Sequence, residues 1–400
     1  MATPLNGLKV LDFSTLLPGP YATQMMADMG ADVLRVESSS RLDLVRQMEP
    51  QIDGQSAVFH YLNRGKRSLS LNLKHPAAVE IIQQLVADSD ILIEQFRPGV
   101  MTRLGLGYQQ LRSYNPKLIY CSITGFGQDG PLADKAGHDI NYLARSGISS
   151  YLGRRDQGPL PLPTQLADIS GGSQNAVIAI MAAVYERQRT GLGQSIDISM
   201  TDSCFALNAL AGPGALQTSQ APEPQDHFLT GAGIYDYYQT ADQRYLSVGS
   251  LEPQFRQRLC DAIGESQWVS LKDHELKARM VTLFLSQPLA HWAQLFEGVD
   301  ACIEPVLNLD EAAKSELFKQ RQMLTQVGGD KGHQQISSPF KFAGERPQAK
   351  SLAPACGQHS REVFNRLGYG AGDIKVLEQQ GVFTAPDSFE INKRIVRGAS

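Results

Sequence analysis

The first half of the chain alternates between short apolar or alternating runs and segments with helical spacing. The runs predict buried strands at Leu8–Phe13, Ala31–Val36, Ser68–Leu73, Ile91–Phe96 and Leu118–Thr124. The helical segments between them are predicted at Tyr21–Met29, Ala77–Ala87 and Val100–Ser113. Strand–helix alternation of this kind predicts a parallel sheet with crossover helices, and therefore a Rossmann-like α/β domain.

The pattern continues through a short helix, a long helix and a further strand. The spacing predicts the short helix at Asp139–Arg145, the long helix at Gly171–Arg189 and the strand at Ser195–Ser199. The long helix carries an apolar face, formed by Ile178, Met181, Ala182 and Tyr185.

A polar stretch with two prolines at 217–226 interrupts this pattern and is typical of a linker. Beyond it we expect a strand at Tyr245–Ser250, a helix at Pro253–Ile263 and further helices to about Met323. A second loop-like stretch, 328–338, precedes the C-terminal segment. A chain of 400 residues is long enough for two or three domains.

Composition and charge exclude several classes of protein. The chain has 37 Lys+Arg and 41 Asp+Glu, and no long basic run supports a nucleic-acid partner. The longest apolar run, Ala176–Tyr185, is about half of the ~20 residues that cross a bilayer, and no secretory signal is visible. The 5 cysteines are far apart, which argues against a disulfide framework. We expect a cytoplasmic enzyme without a nucleic-acid or membrane partner.

The segment from Gly125 to Gly130 matches a glycine-rich dinucleotide-binding pattern and follows a predicted strand. Such a site also needs a helix that begins at the turn and an acidic residue about twenty positions later. Pro131 follows at once, and neither feature is present. We therefore interpret the segment as a glycine turn across the top of the sheet and expect no nicotinamide cofactor.

Three residues are candidates for acid–base chemistry. His138 and Asp168 stand at predicted helix starts, where the helix dipole would keep a histidine neutral and able to accept a proton. The structural alternatives are a capping or packing histidine and an ordinary aspartate N-cap. Glu252, directly before Pro253, is also in a favoured capping position. Spacing alone does not rank these carboxylates against the other acidic residues.

Basic residues recur where loops leave the predicted sheet. They are Arg35, Arg64, Lys66, Arg67 and Arg97. Ligands of open α/β domains gather beyond the carboxyl ends of the strands, so such cations suit a phosphorylated cofactor. The alternative is a set of scattered, solvated charges.

Seven motifs together resemble the family III CoA-transferase superfamily, the CaiB/BaiF group, and they occur in that family's order. They are GPYATQMMADMGADVLRVE, LNRGKRSLSLNL, QFRPGVM, SITGFGQDGP, GHDINY, ADISGG and RTGLGQSIDISM. The resemblance covers residues 5–315 and is weaker beyond them. It implies a large CoA-binding domain that takes both ends of the chain, residues 1–225 and 326–400, and a smaller α+β domain at 226–325. It also implies an interlocked homodimer whose active site lies between the two subunits.

Within the superfamily, GHDINY and LEPQF most resemble the α-methylacyl-CoA racemase branch. This resemblance implies that His138 and Asp168 face the substrate's α-carbon from opposite sides. It also implies that Glu252 and Tyr235 belong to the supporting hydrogen-bond network. The CoA contacts that we expect from the same motifs lie at Arg35, Lys66, Arg67, Ser68, Leu69, Ser70, Leu71, Arg97, Gly137, Asp139, Ile140, Asn141 and Tyr142.

Two activities are therefore open. The first is racemisation at the α-carbon of a 2-methylacyl-CoA by two-base proton transfer, with backbone N–H groups at the Asp168 helix start stabilising the enolate. The second is transfer of CoA between acids, with Asp168 as the nucleophile. A third alternative is a non-catalytic CoA-binding protein. Neither enzyme activity requires a metal, a flavin or a nicotinamide, so CoA would enter only as part of the substrate.

Overall fold

A computed structural model describes residues 3–38, 41–329, 332–349 and 351–384. The strands are β1 Lys9–Asp12, β2 Asp32–Ser38, β3 Gln51–Ile52, β4 Gln55–Ser56, β5 Arg67–Leu71, β6 Ile91–Glu94, β7 Ile119–Thr124, β8 Ser195–Ser199, β9 Asp236–Gln239, β10 Tyr245–Val248, β11 Ile303–Pro305, β12 Leu324–Val327 and β13 His333–Ile336. The helices are α1 Pro18–Asp28, α2 Ala57–Asn63, α3 Pro76–Ala87, α4 Val100–Arg103, α5 Tyr108–Leu111, α6 Asp139–Arg145, α7 Asn175–Thr190, α8 Met200–Ala206, α9 Ala211–Thr218, α10 Pro253–Ala262, α11 Asp273–Phe284, α12 Leu289–Phe296, α13 Leu309–Lys314, α14 Glu316–Gln320, α15 Ser360–Arg366 and α16 Ala371–Gln379. A π-helix, Ala167–Gln174, runs directly into α7. Of the helices described, none is long and apolar enough to cross a membrane.

Six parallel strands form the main sheet, in the order β5-β2-β1-β6-β7-β8. The strand order reverses between β1 and β6, and the ligands of such sheets bind beyond the carboxyl ends of the strands near this point. Strands β6 and β7 are buried along their whole length. The predicted Rossmann-like α/β fold is therefore confirmed.

The chain divides into two compact units. Unit 1 comprises residues 1–146, 162–207 and 320–400, and unit 2 comprises 147–161 and 208–319. The boundaries expected from the sequence were 225/226 and 325/326, so the observed unit 2 begins earlier and includes a separate segment. The polar stretch that we interpreted as a linker lies inside unit 2, and its first two residues are the end of α9.

Unit 2 is built on a three-stranded antiparallel sheet, β11-β10-β9. Its core packs this sheet against α10, α11 and α12. Aromatic side chains contribute edge-to-face contacts there, with Phe284 at their centre against Tyr238 and Trp292. The small domain has the α+β character that was expected.

Two predicted helices differ from the observed ones. The segment predicted as one helix, Val100–Ser113, forms two single turns, α4 and α5, because Gly105 has a left-handed φ of +78° between them. In α7, the buried residues are Ala176, Ile180 and Ala183. Ile178 and Tyr185 of the predicted apolar face are 66% and 65% exposed.

The C-terminal segment covers the free edge of β5. Gly357 donates its N–H to Ser68 Oγ, and His359 donates its N–H to the Ser68 carbonyl. In return, the backbone N–H of Ser70 donates to Ser360 Oγ at 3.1 Å. The β5 backbone is thus occupied by protein on both edges.

Candidate active site

His138 is the N-cap residue of α6, at the carboxyl-end side of the main sheet. Its backbone N–H donates to the Asn141 side-chain oxygen at 3.0 Å, and its imidazole is exposed. The structure therefore leaves this side chain accessible, whereas a packing histidine would be buried.

Tyr142 anchors α6 against the loop that follows β7. The Tyr142 hydroxyl donates to the Gly137 carbonyl at 2.6 Å, and its ring packs edge-to-face on Phe126. A Cβ atom at Gly125 or Gly137 would lie 2.3 or 2.6 Å from the Tyr142 ring, so both positions require glycine. No helix starts in residues 125–138, which agrees with interpreting the glycine-rich motif as a turn.

Asp168 lies in the first turn of the π-helix, and its N-cap is Leu166. The interpretation of Asp168 as an N-cap is therefore wrong. Its carboxylate accepts no hydrogen bond from any described residue, so both of its oxygens are available to a substrate. A π-helix is rare and often marks a functional site.

Asp139, the residue after His138, contacts the backbone of this turn. Its Oδ1 accepts the Ala167 N–H at 2.6 Å and the Asp168 N–H at 3.1 Å. We expected donors to an enolate among the N–H groups of this helix start, and two of these groups are already bonded to Asp139.

The surroundings of Asp168 shift the pKa of its carboxyl group towards neutral pH. The pKa of Asp168 is raised to about 6, chiefly by burial and also by the negative charge of Asp139, while His138 acts in the opposite direction. A carboxyl group of this pKa exists in both protonation states near neutral pH, as an acid/base catalyst requires.

A pocket of about 480 Å³ opens beside His138, where loops leave β6 and β7. Gly137, Asn141 and Tyr142 line it, and Arg97 and Lys135 contribute cations. Neither cation makes an ion pair or a side-chain hydrogen bond in the described part of the chain. The position next to the reversal of strand order is where ligands of this fold are expected.

Arg35 and Lys66 lie elsewhere, inside the protein. The Arg35 guanidinium is buried and pairs with Asp43 and Glu37. The Lys66 ammonium is buried and contacts Asp12 Oδ2 at 3.2 Å, and burial lowers its pKa to about 8. Because both cations are already neutralised by buried carboxylates, we assign them a structural role instead of the predicted phosphate contacts.

The remaining predicted CoA contacts on β5 also differ from expectation. Arg67 forms a bidentate pair with Asp32 and contacts Glu362. Leu69 and Leu71 are fully buried in the core. The Ser68 and Ser70 backbones bind the C-terminal segment, so β5 offers a ligand no free surface through these residues.

Glu252 and Tyr235 both belong to unit 2. Glu252 is the N-cap residue of α10, but its exposed carboxylate caps no N–H and meets no described partner. Tyr235 is 40% exposed and lines a cavity of about 450 Å³ together with Cys302. The pKa of the Cys302 thiol is raised first by burial and second by the charge of Glu252. Glu252 and Tyr235 therefore lie in the same region of unit 2, near Cys302.

Sequence reasoning missed Lys135 and a buried acid, Glu94, at the end of β6. Glu94 accepts the Phe96 N–H at 2.8 Å and so fixes the turn before Arg97, and burial raises its pKa to about 7. An acidic residue at the carboxyl end of a buried strand was the available signal.

Among the described residues, no group of three or more His, Cys, Asp or Glu side chains is arranged to hold a metal ion.

Comparisons with known proteins extend over most of the chain. The sequence model of the family described as CoA-transferase family III matches residues 5–360. The chain is 36% identical over 389 residues to the alpha-methylacyl-CoA racemase of Mus musculus, covering 94% of this chain and 97% of that one. It is 34% identical over 366 residues to the acetyl-CoA:oxalate CoA-transferase of Acetobacter aceti, covering 87% and 93%. The crystal structure of a CAIB/BAIF family protein from Brucella suis superposes with a TM-score of 0.78 at 28% identity, over 92% of this chain and 100% of that chain.

Proposed function

The chain belongs to CoA-transferase family III and is an enzyme of that group, and we propose that it racemises the α-carbon of 2-methylacyl-CoA thioesters. The observation that carries the proposal is the hydrogen bond from the Asp168 backbone N–H to Asp139, the residue next to His138. This contact brings the helix start that carries His138 to the turn that carries Asp168, whose carboxyl group has a raised pKa of about 6. Racemisation requires two acid/bases on opposite faces of a carbon, and we assign these roles to His138 and Asp168.

The reaction would proceed by 1,1-proton transfer. One member of the pair removes the α-proton, and the electron pair of the broken C–H bond delocalises onto the thioester oxygen as an enolate. The other member, protonated, then delivers its proton to the opposite face. The pair as a whole holds one proton before and after each turnover, so no co-reactant is consumed.

CoA recognition would involve the pocket that His138 shares with Arg97 and Lys135. Both side chains are free of protein partners in the described residues, and guanidinium and ammonium groups bind phosphate through charge-assisted hydrogen bonds. The supporting roles of Glu252 and Tyr235 remain part of the proposal. Their exposed polar groups in unit 2 support it.

CoA transfer between carboxylic acids is the second candidate function, and the unbonded Asp168 carboxylate favours it. An Asp168 oxygen would attack the thioester carbon, and the C–S bond would break as CoA thiolate leaves. The thiolate would then attack the Asp168 carbonyl of the mixed anhydride, releasing the acyl group as a carboxylate and leaving an aspartyl-CoA thioester. Close similarity to a relative named as a CoA-transferase also supports this alternative.

The proposed enzyme is an interlocked homodimer. The apolar side chains of Ile178 and Tyr185 on α7, together with Phe205 on α8, are all at least 60% exposed in the single subunit. Burying them against a second copy would remove a large apolar area from water. The proposal also assigns the enzyme to the cytoplasm, where its 5 free cysteines would stay reduced.

Incubation with a 2-methylacyl-CoA in D2O, without an acceptor acid, tests the proposed function. Deuterium at the α-carbon, detected by mass spectrometry and strongly reduced with the Asp168→Asn variant, would support racemisation. Exchange of CoA between two acids, without α-deuteration, would replace it with the transferase. The absence of both reactions over a panel of acyl-CoA lengths would overturn the proposed function.

A further inference from the structure

Asp139 is adjacent to His138 in sequence and bonded to the backbone of Asp168 in space. We propose that Asp139 is the positioning residue of the catalytic carboxylate, holding the first turn of the π-helix and supplying the negative charge beside Asp168. This inference rests on the proposed role of Asp168 and gives Asp139 a function other than contact with CoA.

The first step of the argument is the geometry of the contact. One oxygen of Asp139 accepts the N–H groups of two successive residues, Ala167 and Asp168, at 2.6 and 3.1 Å. These N–H groups lie in the first turn of a helix, where donors lack intrahelical partners. Hydrogen bonds from amides to a carboxylate are roughly twice as strong as neutral ones. Asp139 therefore fixes the backbone that carries Asp168.

The second step is that the other end of the π-helix is fixed independently. Ser173 Oγ donates to the Pro18 carbonyl at 2.6 Å. A Cβ atom at Gly172 would lie 2.9 Å from Pro18 Cβ, so α1 approaches the π-helix closely there. With the far end held by α1, the position of Asp168 depends on the contact that Asp139 makes at the near end.

The third step concerns charge. After burial, the charge of Asp139 is the next cause of the raised pKa of Asp168, and His138 opposes it. The other titratable groups that share this field are the Tyr142 hydroxyl and the Cys204 thiol, whose own pKa values are raised to about 12 and about 11, so that both are neutral near pH 7. Asp139 is thus the anion that adds to burial in raising the Asp168 pKa.

Two substitutions separate positioning from charge. In Asp139→Asn, the amide oxygen can still accept both N–H groups, but the charge is lost. We expect the acid limb of the rate–pH profile to move by about half to one unit towards lower pH, with little change in KM. In Asp139→Ala both functions are lost, and we expect kcat to fall by about 10- to 100-fold, since the carboxylate is misplaced.

Hydrogen exchange provides a measurement that needs no substrate. Peptides covering residues 162–174 should exchange faster in Asp139→Ala and at the unmodified rate in Asp139→Asn. A ¹³C NMR titration of labelled aspartate, assigned with Asp168→Asn, should show the Asp168 midpoint falling in Asp139→Asn. The matched control is Asp134→Asn, which removes the same charge from an exposed, unbonded position of the preceding loop.

The outcomes distinguish this inference from the proposed function. If the enzyme neither exchanges α-protons nor transfers CoA, the proposed function fails, while exchange and titration still decide the role of Asp139. Unchanged exchange in Asp139→Ala, or an unchanged Asp168 midpoint in Asp139→Asn, would overturn the inference. Circular dichroism of each variant checks that the fold is retained. If it is, faster exchange in Asp139→Ala but not in Asp139→Asn reports local loosening of this segment.

Discussion

The Asp139 carboxylate accepts the backbone N–H of Asp168 at 3.1 Å across 29 residues of sequence. This contact brings two helix starts together, one carrying His138 and the other Asp168. It also explains why Asp168 is not an ordinary cap. The Asp168 side chain is left unbonded because Asp139 satisfies the N–H groups that an N-cap would bind. The site is thus assembled by a residue whose role the sequence did not reveal.

The first prediction concerns CoA binding. Arg97→Ala and Lys135→Ala should each weaken CoA binding by about 1–3 kcal/mol, the range for hydrogen bonds to charged groups. The loss should shrink as salt is added, because the contacts are partly exposed. Isothermal titration calorimetry with CoA at low and high salt measures both effects. Arg189→Ala, an exposed cation at the end of α7, is the control and should bind CoA normally.

Arg35→Ala provides a contrast to these two variants. Removing Arg35 leaves Asp43 buried without its cation, whereas Glu37 keeps Arg46, and the loss should cost about 3–5 kcal/mol of the free energy of unfolding. A stable Arg35→Ala protein that no longer binds CoA would restore Arg35 to the ligand site.

The second prediction is that folding and dimerisation are one process. Interlocked subunits cannot separate while folded, so the urea midpoint should rise with protein concentration and no folded monomer should appear on dilution. Circular dichroism at two concentrations and sedimentation at nanomolar concentration measure this. A folded, active monomer would contradict the interlocked arrangement.

The sequence predicted the main sheet well because buried parallel strands have a clear signature. Strands β6 and β7 are covered on both faces, so their residues are almost continuously apolar, and flanking loops mark their ends. Strand β8 lies at the edge of the sheet and has the alternating sequence SIDIS, and it was also predicted at its observed bounds. Helix α6 was also predicted at its observed bounds, since His138 and its polar neighbours mark a start.

The sequence did not show which cations are buried. A basic residue after a strand looks the same whether it binds a ligand or an internal acid. A signal was nevertheless present for Arg35, because Glu37 lies two positions further along the same strand and therefore on the same face. The π-helix left no signal, since one additional residue per turn hardly alters the apolar spacing over eight residues. Asp139 was placed among the CoA contacts because long-range hydrogen bonds cannot be read from spacing.

The third prediction is that the carboxylate of Asp168 destabilises the fold at neutral pH. The pKa of Asp168 is about 6 in the folded chain against 3.8 for an unperturbed aspartate, so the folded state prefers the protonated form. Its contribution to stability is fully present below pH 3.8 and is lost as the pH rises through 6. Asp168→Asn, which is neutral at every pH, should therefore raise the free energy of unfolding at pH 7.5 by about 1–3 kcal/mol.

Urea unfolding at pH 7.5 and pH 4, at equal protein concentrations, checks this prediction. The difference between the two proteins should be small at pH 4. The control is Asp134→Asn, whose exposed carboxylate should leave stability nearly unchanged at both pH values. A destabilised Asp168→Asn protein at pH 7.5 would mean that the carboxylate holds the turn in place.

The fourth prediction concerns His138. If His138 is one of two bases, His138→Ala should lower racemisation by about 10²–10⁴-fold, the usual scale of general acid–base catalysis. It should suppress α-proton exchange from one enantiomer more than from the other, since Asp168 still serves its own face. Mass spectrometry of separate enantiomers in D2O measures this, with His274→Ala, an exposed histidine of unit 2, as the control. Equal loss of exchange from both enantiomers would argue against a two-base division.

Trapping experiments on the same variant address the alternative function. In the transferase, His138→Ala should still form the Asp168 acyl intermediate, which hydroxylamine would convert to a hydroxamate detectable by mass spectrometry. Finding that adduct, together with no α-deuteration by the unmodified enzyme, would replace the racemase with the transferase.

The fifth prediction uses pH to distinguish the two functions. A racemase needs exactly one proton on the His138–Asp168 pair, so kcat/KM should fall on both the acid and the alkaline side. The acid limb should lie near pH 6, where the raised pKa of Asp168 places its titration, although the apparent values belong to the coupled pair. The profile must also be the same for both enantiomers, because their interconversion has an equilibrium constant close to one.

A transferase needs only the Asp168 carboxylate, so its rate should rise through about pH 6 and then stay level. Initial rates from pH 4.5 to 9.5 with each enantiomer decide between them: a plateau on the alkaline side, unaffected by His138→Ala, would rule out His138 as an acid/base.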